Sequence, residues 1–254
     1  MSDIETPATG HYYEKQIACK SSVIAWSHRS RFTKAAKLIG DGRIERVLDY
    51  GCGDGTFLAS IADRVSAAVG ADVADGQLRD CAERLKSIPK LSFLHVNQLN
   101  GPEHDARYDV VTCMETLEHC PAPIVEAVLG DLGRLCKPSG RIVISVPIEI
   151  GLTFPMKYSI RKLAGWRGLS DYKHYERYTI RNAFRMMFAT RETVFDRPIY
   201  GTSHSHYGFN WRALRERVKA HLTLERTRFS PLAWLGGLVS SQAWFICRPK
   251  KVIS

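Results

Sequence analysis

Three glycines at alternate positions, in Asp49-Tyr50-Gly51-Cys52-Gly53-Asp54-Gly55, constrain this 254-residue chain more than any other feature. Val47 to Tyr50 read as a short buried strand. Phe57, Ile61 and Val65 recur at i, i+4 and i+8, which predicts a helix from near Thr56 with one apolar stripe. Lacking Cβ, the glycines can take unusual backbone angles and let a ligand approach the main chain. Strand, turn and helix N-terminus together make a small-molecule cradle at the C-terminal end of a parallel strand. A dinucleotide fingerprint needs G-x-G-x-x-G, whereas the spacing here is G-x-G-x-G with Thr56 beyond it. No lysine follows the glycines, which excludes a phosphate-binding P-loop.

The rest of the chain alternates strand and helix. Residues 1–10 read as disordered and 11–39 as helical, before Gly40-Asp41-Gly42 breaks the chain. Ala71-Asp72-Val73 is expected to be a second strand ending in a carboxylate, and Leu91 to Val96 a third, followed by Asn97. Tyr108 to Cys113 is a fourth, leading into Met114-Glu115-Thr116-Leu117-Glu118-His119. A helix begins near Pro121 and Pro123 and presents Ile124, Val128, Leu132 and Leu135 on one face; Arg141 to Pro147 then form strand five. This order implies an α/β fold with a doubly wound parallel sheet. Gly151 to Asp171 is irregular and basic, and reads as a lid or insertion. Thr179 is placed to cap a helix carrying Ile180, Phe184, Met187 and Phe188. Strand six is expected at Thr193 to Ile199 and strand seven at Gln242 to Arg248. The implied divisions are an N-terminal helical cap (1–40), a core (41–199), an insertion or cap (200–241) and a last strand with tail (242–254).

Asp-x-Gly-x-Gly-x-Gly resembles the first motif of class I S-adenosylmethionine (SAM) methyltransferases. The segment Val110 to Pro147, with Leu117-Glu118-His119 and Lys137-Pro138-Ser139-Gly140, is similar to the methyltransferase-11 type. The resemblance implies a Rossmann-like seven-stranded sheet with strand seven antiparallel, an N-terminal cap over the cofactor, and SAM as methyl donor. Asp49, Gly51, Cys52, Gly53 and Gly55 would then line the cofactor site, with Asp72 and Val73 beside the ribose, Asn97 at the adenine amine, and Met114 and Glu115 opposite. Asp72 lies about 20 residues beyond the glycines, where a carboxylate accepts ribose hydroxyls; its alternative is to cap the next helix, for which Asp75 is better placed. Acidic groups suit the ammonium and sulfonium of SAM, and backbone N–H groups its carboxylate.

For methyl transfer to a hydroxyl, a base must take the proton. His119 and His174 are the candidates. Glu115-x-x-Glu118-His119 is similar to the motif of ubiquinone-biosynthesis O-methyltransferases, where those positions are implicated in divalent metal binding; carried over, Glu115, Glu118 and His119 would hold Mg²⁺. Against that stands the wide occurrence of Leu-Glu-His without metal, in which case these side chains shape the pocket. His204 and His206 could reach the site, although a polar loop reads better.

Charge separates the two ends of the chain. The net +10 divides into −3 over residues 1–150 (17 Lys/Arg, 20 Asp/Glu) and +13 over 151–254 (19 and 6). A basic C-terminal part suits an acidic partner, or is a solvated surface. Trp211, Leu214 and Val218 opposed by Arg212, Arg215, Arg217 and Lys219 form a basic amphipathic helix, which could lie on an anionic membrane or pack on the domain by its apolar face. The favoured reading is O-methylation of a small-molecule, glycan or lipid-linked acceptor. It places the protein in the cytoplasm, with the inner membrane face as a further site; nucleic acid is disfavoured because no RNA-binding module is present. His-Tyr-x-Arg-Tyr-Thr at 174–179 is similar to segments of methyltransferases encoded with bacterial surface-polysaccharide genes. The seven cysteines form no C-x-x-C pair and read as reduced thiols; no signal peptide or membrane span is evident.

Overall fold

The computed structural model describes residues 22–155, 157–159, 179–200, 203–231, 233–238 and 240–250. The glycine turn lies where the sequence puts it, at the end of β1 (Ile44–Tyr50). Around β1 stand β2 (Val65–Asp72), β3 (Leu91–His95), β4 (Tyr108–Met114) and β5 (Cys136–Pro147), all parallel. Two antiparallel strands, β9 (Gln242–Pro249) and β8 (Leu222–Ser230), complete one edge, giving a seven-stranded sheet of order β3-β2-β1-β4-β5-β9-β8. A two-stranded ribbon, β6 (Ile199–Tyr200) with β7 (Ser203–His204), stands apart.

Helices cover both faces because the parallel strands are apolar on both sides. On one face α1 (Ser22–Leu38) and α2 (Thr56–Ser60) pack Ala35, Phe57 and Leu58 against Val47, Val143 and Trp244. On the other, α4 (Ala122–Leu135) and α6 (Trp211–His221) pack Val128, Leu129, Leu132, Leu214 and Val218 against Val111, Ile142 and Phe245. Between them in sequence lie α3 (Asp75–Arg84) and α5 (Ile180–Met187), whose N-cap Thr179 side chain accepts from Asn182 N as its spacing predicts.

Three expectations are corrected. The helix predicted from Phe57 to Val65 is one short turn: Ile61 leaves helical geometry (φ −113°, ψ 7°), and a 3-10 turn at Ala62–Arg64 redirects the chain. Arg64 fastens that turn by donating to the carbonyls of Ala36 and Gly40. Phe57, Ile61 and Val65 are all buried, but Val65 is the first residue of β2, so their spacing reports a shared core rather than one helix. Accordingly β2 runs from Val65 and ends at Asp72, leaving Val73 outside it and 71 % exposed. Strand six is not Thr193 to Ile199 but β8, inside the stretch read as an insertion. As an edge strand β8 alternates charged and apolar residues and leaves most of them partly exposed, so its sequence looks polar.

The apolar face of α6 (Trp211, Leu214, Val218) is buried in the domain, which selects the packing alternative for this helix. No helix among the described residues is long and apolar enough to cross a membrane. The six described cysteines are free thiols, as the absence of C-x-x-C suggests.

Candidate active site

Gly51, Gly53 and Gly55 have φ of +79°, +54° and +71°, the left-handed region that favours glycine. At Gly51 the need is also steric, since a Cβ would sit 2.3 Å from Thr116 Oγ1. That approach follows from topology: β1 and β4 are paired neighbours, so the turns after them stand side by side. The turn is tied to β2. Gly51 N and Cys52 N donate to Ala71 O at 2.7 and 3.0 Å, Gly53 N donates to Asp72 Oδ2 at 3.0 Å, and Gly55 N donates to Cys52 O at 3.0 Å. These N–H groups are paired within the protein. The glycines contribute clearance, and the cationic group at the cavity is Arg31.

The cavity above the turn measures about 180 Å³ and is bordered by Arg31, Phe32, Asp49, Gln77, Met114 and Glu115 as well as the turn itself. Asp49 is buried and accepts from Thr112 Oγ1 at 2.6 Å. Burial raises its carboxyl to about 7, against the lowering by Thr112, and the Asp72 charge adds to the rise. Asp72 uses Oδ1 to accept from Val73 N (2.7 Å) and Ala74 N (3.1 Å), which fixes the bend before α3, while Oδ2 holds Gly53; α3 itself starts from Ala74 with no side-chain cap, so the capping alternative is not what the structure shows. Asn97 is exposed in the 3-10 turn after β3, its N–H donating to His95 Nδ1 at 3.2 Å.

Glu115, directly after β4, has φ +52°, an uncommon conformation for a residue with a side chain. Its N–H donates to Ser145 O, its Oε1 accepts from Ser145 Oγ at 3.2 Å, and its Oε2 pairs with Arg31 Nη2 at 3.3 Å. Glu118 lies further on, in the 3-10 turn Leu117–His119, and is fully buried. Burial, then the Glu115 charge, pushes its carboxyl well above the usual carboxylate range. The predicted trio Glu115, Glu118 and His119 is thus not gathered at one point: Glu115 faces Arg31, and the third group beside Glu118 and His119 is His206. His206 reaches them because Arg197 clamps the two segments, donating to Glu118 O and to Ser205 O while its guanidinium lies 5.1 Å from the Phe209 ring centroid.

Arg31, Gln77 and Arg197 are site residues that the sequence reading does not identify. Neither Arg31, which shares its helix face with Ser27, His28 and Lys34, nor Arg197 carries a signal in the sequence. His174 and the side chain of His204 lie outside the described residues.

Comparison with known proteins agrees with this architecture. The chain is 38% identical over 105 residues to a ubiquinone biosynthesis O-methyltransferase of Aeromonas salmonicida, covering 40% of this chain and 42% of that one. A similar protein of Vibrio campbellii is 35% identical over 103 residues, covering 40% and 43%. The matches therefore span less than half the length of these curated relatives. Among solved structures, a protein from Pyrococcus horikoshii superposes with a TM-score of 0.60 at 16% identity over 95% of this chain and 100% of that one. The N-methyltransferase NodS of Bradyrhizobium japonicum gives 0.52 at 12% identity, covering 88% and 97%. At these identities the superpositions establish the fold, that of class I SAM methyltransferases. A family model described as a methyltransferase domain matches residues 25–190, more than half of the chain, and the protein belongs to that family.

Proposed function

We propose that the protein transfers a methyl group from SAM to a hydroxyl of a small-molecule, glycan or lipid-linked acceptor. The observation that carries this reading is the abutment of the two turns, Gly51 against Thr116, which sets the glycine cradle beside the turn bearing Glu118 and His119. SAM supplies a methyl group on a sulfonium, which is already a good leaving group.

The residues present fit SAM. The three glycines keep the wall clear, and Asp49 and the Arg31–Glu115 ion pair border the same cavity, where carboxyl groups suit an ammonium and a sulfonium and a guanidinium suits a carboxylate. Asp72 accepts three N–H bonds, and a carboxylate has about four lone-pair sites, so one remains for a ribose hydroxyl. Asn97, at the exposed end of β3, is placed for an adenine amine, with Val73 and Met114 as apolar flanks. Arg31 and Phe32 of α1 border this cavity. On the acceptor side, His119 is the part-exposed imidazole, suited by type to accept the hydroxyl proton. His174 remains the second candidate from the sequence.

Location is part of the same proposal: the cytoplasm, with the basic C-terminal part resting against an anionic membrane surface. The charge of +13 supports it; with the apolar face of α6 buried, attraction would be mainly electrostatic and lost at high salt. Flotation with anionic vesicles at low and high salt tests this, and failure to float at low salt would remove it.

The test of activity is incubation of the protein with methyl-labelled SAM and a bacterial lysate, then separation into organic, aqueous small-molecule and nucleic-acid fractions. Base-stable label in the organic or small-molecule fraction is the expected result. Label in RNase-sensitive material would replace this reading with RNA methylation.

A further inference from the structure

Two imidazoles and one carboxylate meet where the turn after β4 touches the loop after β7. His119 Nε2 and His206 Nε2 lie 3.3 Å apart, and Glu118 Oε1 lies 4.0 Å from His119 Nε2. All three ligating atoms fall within 4.8 Å of one another. Ligand atoms about 2.0–2.2 Å from one ion stand roughly 3–4 Å apart, so two of these separations already suit a shared ion, and the third needs only a small closure. Both Glu118 oxygens are buried without a hydrogen-bond partner among the described residues. A carboxylate is costly to bury in that state, and a bound cation relieves the cost. Nor can two imidazole nitrogens face one another with lone pairs alone. A proton shared between them would leave Glu118 unsatisfied, whereas a metal ion would also give its carboxylate a partner.

The geometry points to a divalent transition-metal site formed by Glu118, His119 and His206. Its ligand set differs from the Glu115, Glu118 and His119 trio suggested by the sequence motif, because Arg31 and Ser145 hold Glu115, whereas His206 stands beside Glu118 and His119. The difference changes the metal. Two imidazoles with one carboxylate suit Zn²⁺ and its first-row neighbours, while Mg²⁺ takes oxygen ligands and keeps its waters. The Arg197 clamp on Glu118 O and Ser205 O fixes the spacing of the two ligand-bearing segments. With a cation held there, a hydroxyl oxygen bound to it would lose its proton more readily, and the proton would pass to solvent, because His119 would then serve as a ligand in place of the base named above. That last role rests on the methyl-transfer reading; the site itself does not.

The test uses the tag-free, metal-stripped full chain, titrated with Co²⁺ and monitored by visible absorption and calorimetry, with Zn²⁺ as competitor and Mg²⁺ in a separate titration. Binding of S-adenosylhomocysteine (SAH) by each variant reports the fold and the cradle. The expected result is one Co²⁺ per chain, displaced by Zn²⁺, with Mg²⁺ at least about 100-fold weaker. His206→Ala and Glu118→Gln should each weaken Co²⁺ binding by about 10–100-fold with SAH binding retained, and Glu115→Gln by less than about 3-fold. Absence of Co²⁺ binding by the unaltered chain, or binding that survives His206→Ala, would overturn the site in favour of a proton-sharing cluster. Mg²⁺ binding abolished by Glu115→Gln would overturn it in favour of the motif trio. Co²⁺ binding without SAH binding would leave the metal site standing and count against the methyl-transfer reading alone.

Discussion

The turn after β1 and the turn after β4 touch, yet they are built on opposite plans. The first is made of backbone: three glycines at positive φ, with N–H groups already paired to Ala71, Cys52 and Asp72. Its parts lie within a few residues of one another, apart from the β2 end they lean on. The second is made of side chains carrying unresolved charge, Glu118 and His119, completed by His206 from 87 residues further along. One is a surface shaped by sterics, and the other is a cluster of ionisable side chains drawn from distant parts of the chain. A donor common to a large family suits the first plan, and an acceptor that varies suits the second.

The sharpest way to break the first turn is Gly51→Ala. The new methyl would meet Thr116 Oγ1 at 2.3 Å and force an alanine to φ +79°, a strain of about 2 kcal/mol before the clash is counted. SAH affinity should fall by more than about 100-fold, with lowered thermal stability; calorimetry and thermal unfolding check both. An unchanged affinity would show that the cradle is not where the cofactor binds.

The converse experiment is Arg197→Ala, which releases the loop bearing His206 from the turn bearing Glu118. Methyl incorporation into the acceptor fraction should drop by about 30-fold, as expected when catalytic groups lose their positioning, while SAH binding stays unchanged. Equal losses of both would mean that the two turns do not have separate roles.

A smaller effect is expected from Asp72→Asn. The amide oxygen can still accept from Gly53 N or from the Val73 and Ala74 N–H groups, but it carries no charge and fewer lone pairs. SAH affinity should fall by about 10-fold, whereas Asp72→Ala should also destabilise the turn in urea unfolding.

A different kind of effect, on stability and not on binding, is expected at Asp49, whose carboxyl is raised by burial from 3.8 to about 7. The folded form holds this proton more tightly than the unfolded chain does. Its contribution to stability is therefore full below about pH 4 and is lost as pH rises toward 7. In ligand-free protein, Asp49→Asn should flatten that decline by up to about 1 kcal/mol per pH unit. Urea unfolding at several pH values measures it, and parallel slopes for the two proteins would refute it.

The α/β class, β1, β3, β4, α4 and β9, the glycine cradle and the carboxylate at Asp72 are legible in the sequence, because each depends on residues close together in the chain. Glycine spacing reports backbone angles, strands report themselves as apolar runs, and Pro121 with the stripe through Val128 marks a helix start. The segment just beyond the cradle misleads for the same reason. Phe57, Ile61 and Val65 obey a helical period, but that period cannot distinguish one helix from three buried residues around a bend that Arg64 fastens to Ala36 and Gly40. The edge strand β8 is hidden because its neighbour β9 supplies the pairing while solvent tolerates its charges. Only the tertiary structure turns Glu115 toward Arg31 and brings His206 to Glu118 and His119. Those choices join α1, the turn after β4 and a loop near residue 206, and spacing along the chain carries no information about which distant charge a buried carboxylate will meet.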